Sequence, residues 1–118
     1  MISDKRRAIY EEAIGAAVTG DVLVQIGVED GESLIYLARL AMKARKLVKV
    51  IGVDTRTLEH EQEERENSVI NMVEKDHEAY ANLTLLQMSE SQALMRLDKQ
   101  GIKPAMIYYT QHEAAARP

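Results

Sequence analysis

The sequence predicts a doubly wound α/β domain with a mainly parallel sheet, and three observations carry that expectation. Apolar, β-branched runs alternate with segments of helical period; the first such run exits into a glycine-containing turn that opens a helix; and the next run ends in an acidic residue. A length of 118 residues suits one domain. No repeat, linker or low-complexity tract divides residues 1–118, so a single domain is expected.

Ser3 is a suitable N-cap for a helix running to about Val18, because Tyr10, Ala13, Ile14 and Ala17 recur at helical spacing while Lys5, Arg6, Glu11 and Glu12 are assigned to other faces. Val22 to Ile26 is short, apolar and followed by Gly27, the pattern of a strand covered on both sides. Beyond Gly31 the period changes: Leu34, Leu37, Ala38, Ala41 and Met42 mark one face of a helix that reaches the basic segment Lys43 to Lys46. Val48 to Val53 is a second strand, closed by Asp54, and completes a βαβ unit with parallel pairing and a right-handed crossover.

Thr57 to about Ala81 reads as a long helix, charged and solvated over Glu59 to Glu66 and striped with Val69, Met72, Val73, Asp76 and Tyr80 beyond. His60 and Glu64 stand one helical turn apart, but an acidic solvated face explains them better than a metal site. Leu83 to Met88 is a third strand, Ser91 to Lys99 a short helix closed by Gly101, and Ala105 to Tyr109 a fourth strand introduced by Pro104. The expected strand order is 3-2-1-4. A fourth strand that ends the sheet would leave its outer edge unpaired, which predicts a homodimer. Met72, Met88, Met95 and Met106 are expected to fill the core, and of Tyr108 and Tyr109 one should be buried and the other exposed to a ligand or a partner.

Composition narrows the function classes. The net charge of −4 arises from 19 acidic and 15 basic residues mixed along the chain, so no basic face points to nucleic acid or an anionic membrane. The absence of cysteine removes disulfides, thiolate metal sites and cysteine nucleophiles, and suits a reducing compartment; a cytoplasmic location is expected. The N-terminus is amphipathic and charged where a secretory signal would be apolar, and no run of about 18 apolar residues occurs.

In a doubly wound sheet, ligands sit beyond the carboxyl ends of the strands where the winding reverses, here beside the first and fourth strands. The turn Gln25-Ile26-Gly27-Val28-Glu29-Asp30-Gly31-Glu32-Ser33 points there. Glycine permits a tight turn and close approach of a ligand to backbone, and the helix start offers free amides. Glu29, Asp30 and Glu32 crowd the same turn with negative charge, which repels a pyrophosphate but accepts a ligand bearing a sulfonium and an amino group. Asp54, about 20 residues beyond the turn, is placed to accept hydrogen bonds from ribose hydroxyls.

With these residues in hand, GDVLVQIGVEDGESLIYLARLA followed by VKVIGVDT resembles the opening of the class I S-adenosylmethionine (SAM)-dependent methyltransferases, in particular the small-molecule O-methyltransferase group. The resemblance implies a Rossmann-like three-layer sandwich that lacks the last strands of the full methyltransferase fold, SAM as cofactor, and methyl transfer to a hydroxyl of a small molecule. It implies that Gly27 and Gly31 shape the cofactor loop, that Ser33 helps hold the methionine end, that Asp54 binds the ribose and that Ser89 lies toward the adenine. Gln25 stands where the family usually has an acidic residue near the methionine amino group, and Thr110 and Gln111 replace aspartates of its metal-binding motif, so no metal is expected and the catalytic residues stay unassigned.

Other readings stand beside these. Gly27 and Gly31 also suit a βα turn without a ligand, Asp54 a helix cap, and His112 and Glu113 a solvated tail. The alternative to an enzyme is a non-catalytic methyltransferase-like interaction or regulatory module, acting through protein contacts or through cofactor binding alone. A weaker third reading, part of a nicotinamide-dependent dehydrogenase, conflicts with the acidic turn.

Overall fold

The computed structural model describes residues 2–55 and 81–116. At its centre lies β1 (Val22–Ile26), five residues that are all buried because both sheet faces are covered. Leu23 faces a core formed with Tyr10, Ala13, Ile14, Leu34, Leu37 and Ala38, while Val22, Val24 and Ile26 face a second core with Ile51, Val53, Ala93 and Leu97. The two-residue period of the strand thus divides its side chains between two helical layers.

One layer holds α1 (Asp4–Ala16) and α2 (Glu32–Lys43); the other holds α3 (Glu90–Lys99). Around β1 the sheet contains β2 (Lys49–Asp54), β3 (Leu83–Gln87), β4 (Met106–Tyr109) and β5 (Ala114–Ala116), in the order β3-β2-β1-β4-β5. β2 and β4 flank β1 in parallel, β3 joins β2 in parallel, and β5 returns antiparallel against β4. The 3-2-1-4 order expected from the sequence is present, in a mixed α/β sheet that is mostly parallel.

Three expectations need correction. β4 is not the last strand: Ala114 to Ala116 pair with Tyr109 to Ile107, so the bare β4 edge that motivated a homodimer is covered. Three alanines give no alternating pattern and all are exposed, which is why this strand escapes a reading based on hydrophobic period. Met95 is 58% exposed and does not fill the core, since α3 buries only Ala93 and Leu97. Arg6, assigned to an outer face of the first helix, is buried on the same stripe as Tyr10, Ala13 and Ile14. The helix expected from Thr57 onward, with His60, Glu64 and Met72, falls on positions 56–80, outside the described residues.

Both ends of α1 are tied down. Ser3 caps its start by accepting from the Arg6 amide at 3.1 Å. Its last turn has no basic residue of its own, and the Lys46 ammonium supplies that charge from the approach to β2, donating to the carbonyls of Ile14 (2.7 Å), Gly15 (3.0 Å) and Ala17 (2.9 Å).

Candidate cofactor site

The β1–α2 turn reverses direction within five residues by placing Gly27 (φ 93°), Glu29 (φ 55°) and Gly31 (φ 84°) in the left-handed region. Glycine adopts that conformation without penalty; glutamate does not. Gly31 is the N-cap of α2 and has no side chain to bond the first amides. The space left by the absent Cβ of Gly27 is taken by the side chain of Thr110, whose hydroxyl donates to the Ile26 carbonyl at 3.1 Å. The close approach expected there of a ligand is therefore made by a residue of the chain itself.

Beyond the carboxyl ends of β1, β2 and β4 lies a cleft of about 240 Å³ lined by Gly27, Thr55, Ser89, Tyr109, Gln111 and His112, among others. This is where the winding of the sheet reverses. A larger, mainly apolar cavity of about 640 Å³ opens at the opposite ends of the strands, beside Met42, Leu47, Val48 and Asn82. Topology, not size, assigns the site to the smaller one. Asp54, 5% exposed, ends β2 next to Thr55, and the half-buried Tyr109 is the tyrosine of the pair that reaches the cleft while Tyr108 is buried.

On the α1 side of Gly27 the turn is backed by a buried polar network. Gln25 is fully buried: its Oε1 accepts from the Tyr10 hydroxyl at 2.5 Å and from Ser33 Oγ at 3.4 Å, and its Nε2 donates to the Gly27 carbonyl at 3.0 Å. Arg6, only 6% exposed, donates to Ser33 Oγ (3.0 Å), Glu29 (3.2 Å), the Thr110 carbonyl (3.5 Å) and Glu113, through Nη2 at 2.5 Å and Nε at 3.3 Å. The Tyr108 hydroxyl also donates to Glu113, and the Arg6 guanidinium lies 5.5 Å from the centre of the Tyr108 ring.

The electrostatics follow from this packing. Burial pulls the Arg6 pKa down, but the bonds to Glu113, Tyr108 and Glu29 outweigh it, and the group is held firmly in its charged form. Burial, followed by the Glu113 hydrogen bond, pushes the Tyr108 hydroxyl up to about 12. Burial likewise raises Tyr10. Arg6, then Tyr108, hold the Glu113 carboxyl below the usual carboxylate range.

A depressed folded-state pKa contributes stability that is complete above the unfolded value of about 4.3 and is lost as pH falls through the folded value. Glu113→Gln is therefore expected to flatten the acid limb of the stability profile below about pH 4.3. At pH 7 the variant should lose about 1 kcal/mol, less than a buried charged hydrogen bond contributes because the Glu113 side chain is 36% exposed and screened by solvent. Urea melts from pH 3 to 7 read both effects, and parallel profiles for the two proteins would refute the assignment.

The six residues singled out from the sequence divide into two groups. Gly27 and Ser89 line the cleft and Asp54 adjoins it, whereas Gln25 and Ser33 lie in the buried network and Gly31 caps α2. Ser89 has a local task as well, since its side chain and that of Gln92 form a capping box at the start of α3. Sequence reasoning missed Arg6 and Glu113 as network members. A signal for Arg6 was present: it precedes Tyr10 by four positions, so it shares that buried face.

A family model described as rhamnosyl O-methyltransferase/CmcI matches residues 7–105. The chain belongs to this family. The match runs from Arg7, within α1, through the glycine turn, β2, β3 and α3, and ends just before β4; Arg6 and Glu113 lie outside it on either side. A comparison with curated proteins gives no match. Among solved structures, precorrin-6y C5,15-methyltransferase from Geobacter metallireducens aligns over 92% of this chain and 49% of its own, at 12% identity and a TM-score of 0.59. A SAM-dependent methyltransferase from Aquifex aeolicus aligns over 72% of this chain and 38% of its own, at 21% identity and a TM-score of 0.48. The first likeness shows a shared fold, and this member of the rhamnosyl O-methyltransferase/CmcI family spans about half the length of that neighbour.

Proposed function

We propose that this domain binds SAM with the adenosyl group in the cleft at the ends of β1, β2 and β4, and that it supports methyl transfer to a hydroxyl of a small molecule. The observation that carries the reading is the convergence of Gly27, Thr55 and Ser89 on one space beside Asp54, in a chain of an O-methyltransferase family. The lining suits an adenosyl group: Ile26 and Tyr109 offer apolar faces, and Thr55, Ser89 and Gln111 offer hydrogen-bonding groups. Its volume of about 240 Å³ is under the range of about 300–1,000 Å³ typical of small-molecule pockets. It thus matches the nucleoside part, with the amino-acid end lying past Gly27.

In this reading the Asp54 carboxylate accepts from the ribose hydroxyls and Ser89 faces the base. When bound, SAM supplies a methyl group activated by its sulfonium. The chain's contribution is placement of the acceptor oxygen in line with that methyl, the effect on which such displacements chiefly depend. His112 and Glu90 line the cleft and are able to take up the acceptor's proton. A second reading, binding without turnover, is favoured by the neutral Thr110 and Gln111, which stand where the resemblance expects aspartates.

Calorimetric titration with SAM and S-adenosylhomocysteine tests binding, and a methyl-transfer assay on hydroxylated small molecules then separates the two readings. Asp54→Asn is expected to weaken S-adenosylhomocysteine binding by roughly 10- to 100-fold, the loss of hydrogen bonds to a charged acceptor. An unchanged affinity would remove Asp54 from the site.

A further inference from the structure

We propose that Arg6 is the receptor for the carboxylate at the amino-acid end of the ligand, and that Glu113 is an internal carboxylate which fills that place until the ligand displaces it. This rests on the reading of the chain as a SAM-binding domain.

The place is built for a carboxylate. Glu113 receives donors from Arg6 Nε and Nη2, from the Tyr108 hydroxyl and, at 3.4 Å, from Ser3 Oγ. Two parallel N–H donors from a guanidinium fit the two oxygens of any carboxylate. The receptor is buried, with the Arg6 side chain 7% exposed, yet its two carboxylate partners are not: Glu113 is 36% and Glu29 49% exposed at the side chain. Here the cation is fixed and the anions reach it from the solvent side.

The anions are also held at a conformational cost. Glu29 (φ 55°) and Glu113 (φ 47°) are both left-handed residues other than glycine. Such conformations persist where surrounding contacts hold them, and for Glu113 those contacts centre on Arg6. Displacement of Glu113 releases that constraint. It also conserves charge, since one carboxylate leaves the guanidinium as another arrives, while Glu29 remains to face the ligand's ammonium group.

Position links the receptor to the cleft. The Thr110 carbonyl accepts from Arg6 and the Thr110 side chain packs on Gly27, which lines the cleft. Ser33 Oγ, the acceptor of Arg6 Nη1, is joined through Gln25 to the Gly27 carbonyl. Thr110 and Gly27 thus connect the proposed carboxylate place to the adenosyl space. Because Arg6 and Glu113 both lie outside residues 7–105, the device is not part of the matched family segment.

The test uses calorimetry on the full chain with two ligands, S-adenosylhomocysteine and 5′-methylthioadenosine, which shares the adenosyl thioether but has no amino-acid end. The unaltered protein should prefer S-adenosylhomocysteine. Glu113→Gln should tighten S-adenosylhomocysteine several-fold by weakening the internal competitor, with no change for methylthioadenosine. Arg6→Lys should bring S-adenosylhomocysteine down to the level of methylthioadenosine, whose affinity serves as the check on folding. Equal shifts for both ligands, no shift for either, or a Glu113→Gln variant that binds S-adenosylhomocysteine more weakly would overturn the proposal while leaving the adenosyl site intact. If the unaltered protein binds neither ligand, the SAM reading itself fails and this inference falls with it. Glu113→Gln decides the matter even if Arg6→Lys does not fold.

Discussion

Gly27→Ala is expected to lower the unfolding free energy by about 2–4 kcal/mol, because two penalties meet at one carbon. At φ 93° an L side chain is strained, at a cost on the order of 1–3 kcal/mol. The new methyl would also overlap the Thr110 hydroxyl, which is buried and bonded to the Ile26 carbonyl. The penalties separate in a double-mutant cycle. In a Thr110→Ala background the hydroxyl is gone, and the next Thr110 atom, Cβ, stands at 3.6 Å from the new methyl, an ordinary contact. There the glycine substitution should cost about 1–2 kcal/mol less, leaving only the backbone term. Urea melts of the four proteins measure it, and a Gly27→Ala protein within about 0.5 kcal/mol of the original would show that the turn relaxes freely.

Gln25→Glu, the change that restores the acidic residue usual in the resembling methyltransferases, is expected to destabilise this chain by about 2–4 kcal/mol at neutral pH. A carboxylate would still accept from Tyr10 and Ser33, but it has no donor for the Gly27 carbonyl now bonded by Nε2 at 3.0 Å. Burial also raises the pKa of an introduced carboxyl above its unfolded value of about 4.3. The sign follows: the variant keeps its full stability when the group is protonated, below that unfolded value, and loses it as pH rises through the folded one. The deficit should therefore shrink on going from pH 8 to pH 5. Gln25→Met, which strands the Gly27 carbonyl together with the Tyr10 and Ser33 hydroxyls but adds no charge, should show a deficit that does not vary with pH. Identical profiles for the two variants would mean that position 25 does not feel the proposed mismatch.

The contrast between Gln25 and the acid expected at its place shows how far a sequence carries this reading. Strand order, the βαβ unit and the glycine turn were legible because each rests on a local pattern: a β-branched run, a change of period, a glycine that must take positive φ. The identity of the space beside Gly27 was not. It depends on Thr110, 83 positions away by the chain and brought there by the pairing of β4 with β1, through which the hydroxyl meets the Ile26 carbonyl. The Arg6–Glu113 pair is of the same kind, joining the first helix to the turn before β5 over a separation of 107 residues. Arg6 was misassigned because charge was read as exposure; its long side chain is buried since four acceptor residues and an aromatic face await it. β5 went unseen for the opposite reason, having no side-chain pattern at all and existing only through its backbone pairing with β4.

The three carbonyls gathered by Lys46 have a mechanical meaning. They moor the far end of a rod about 20 Å long whose near end carries Arg6. A covalent change that neutralises that ammonium, such as acylation, would slacken the mooring without touching the glycine turn. The moored carbonyls at one rim of the sheet and the guanidinium at the other thus belong to a single helix.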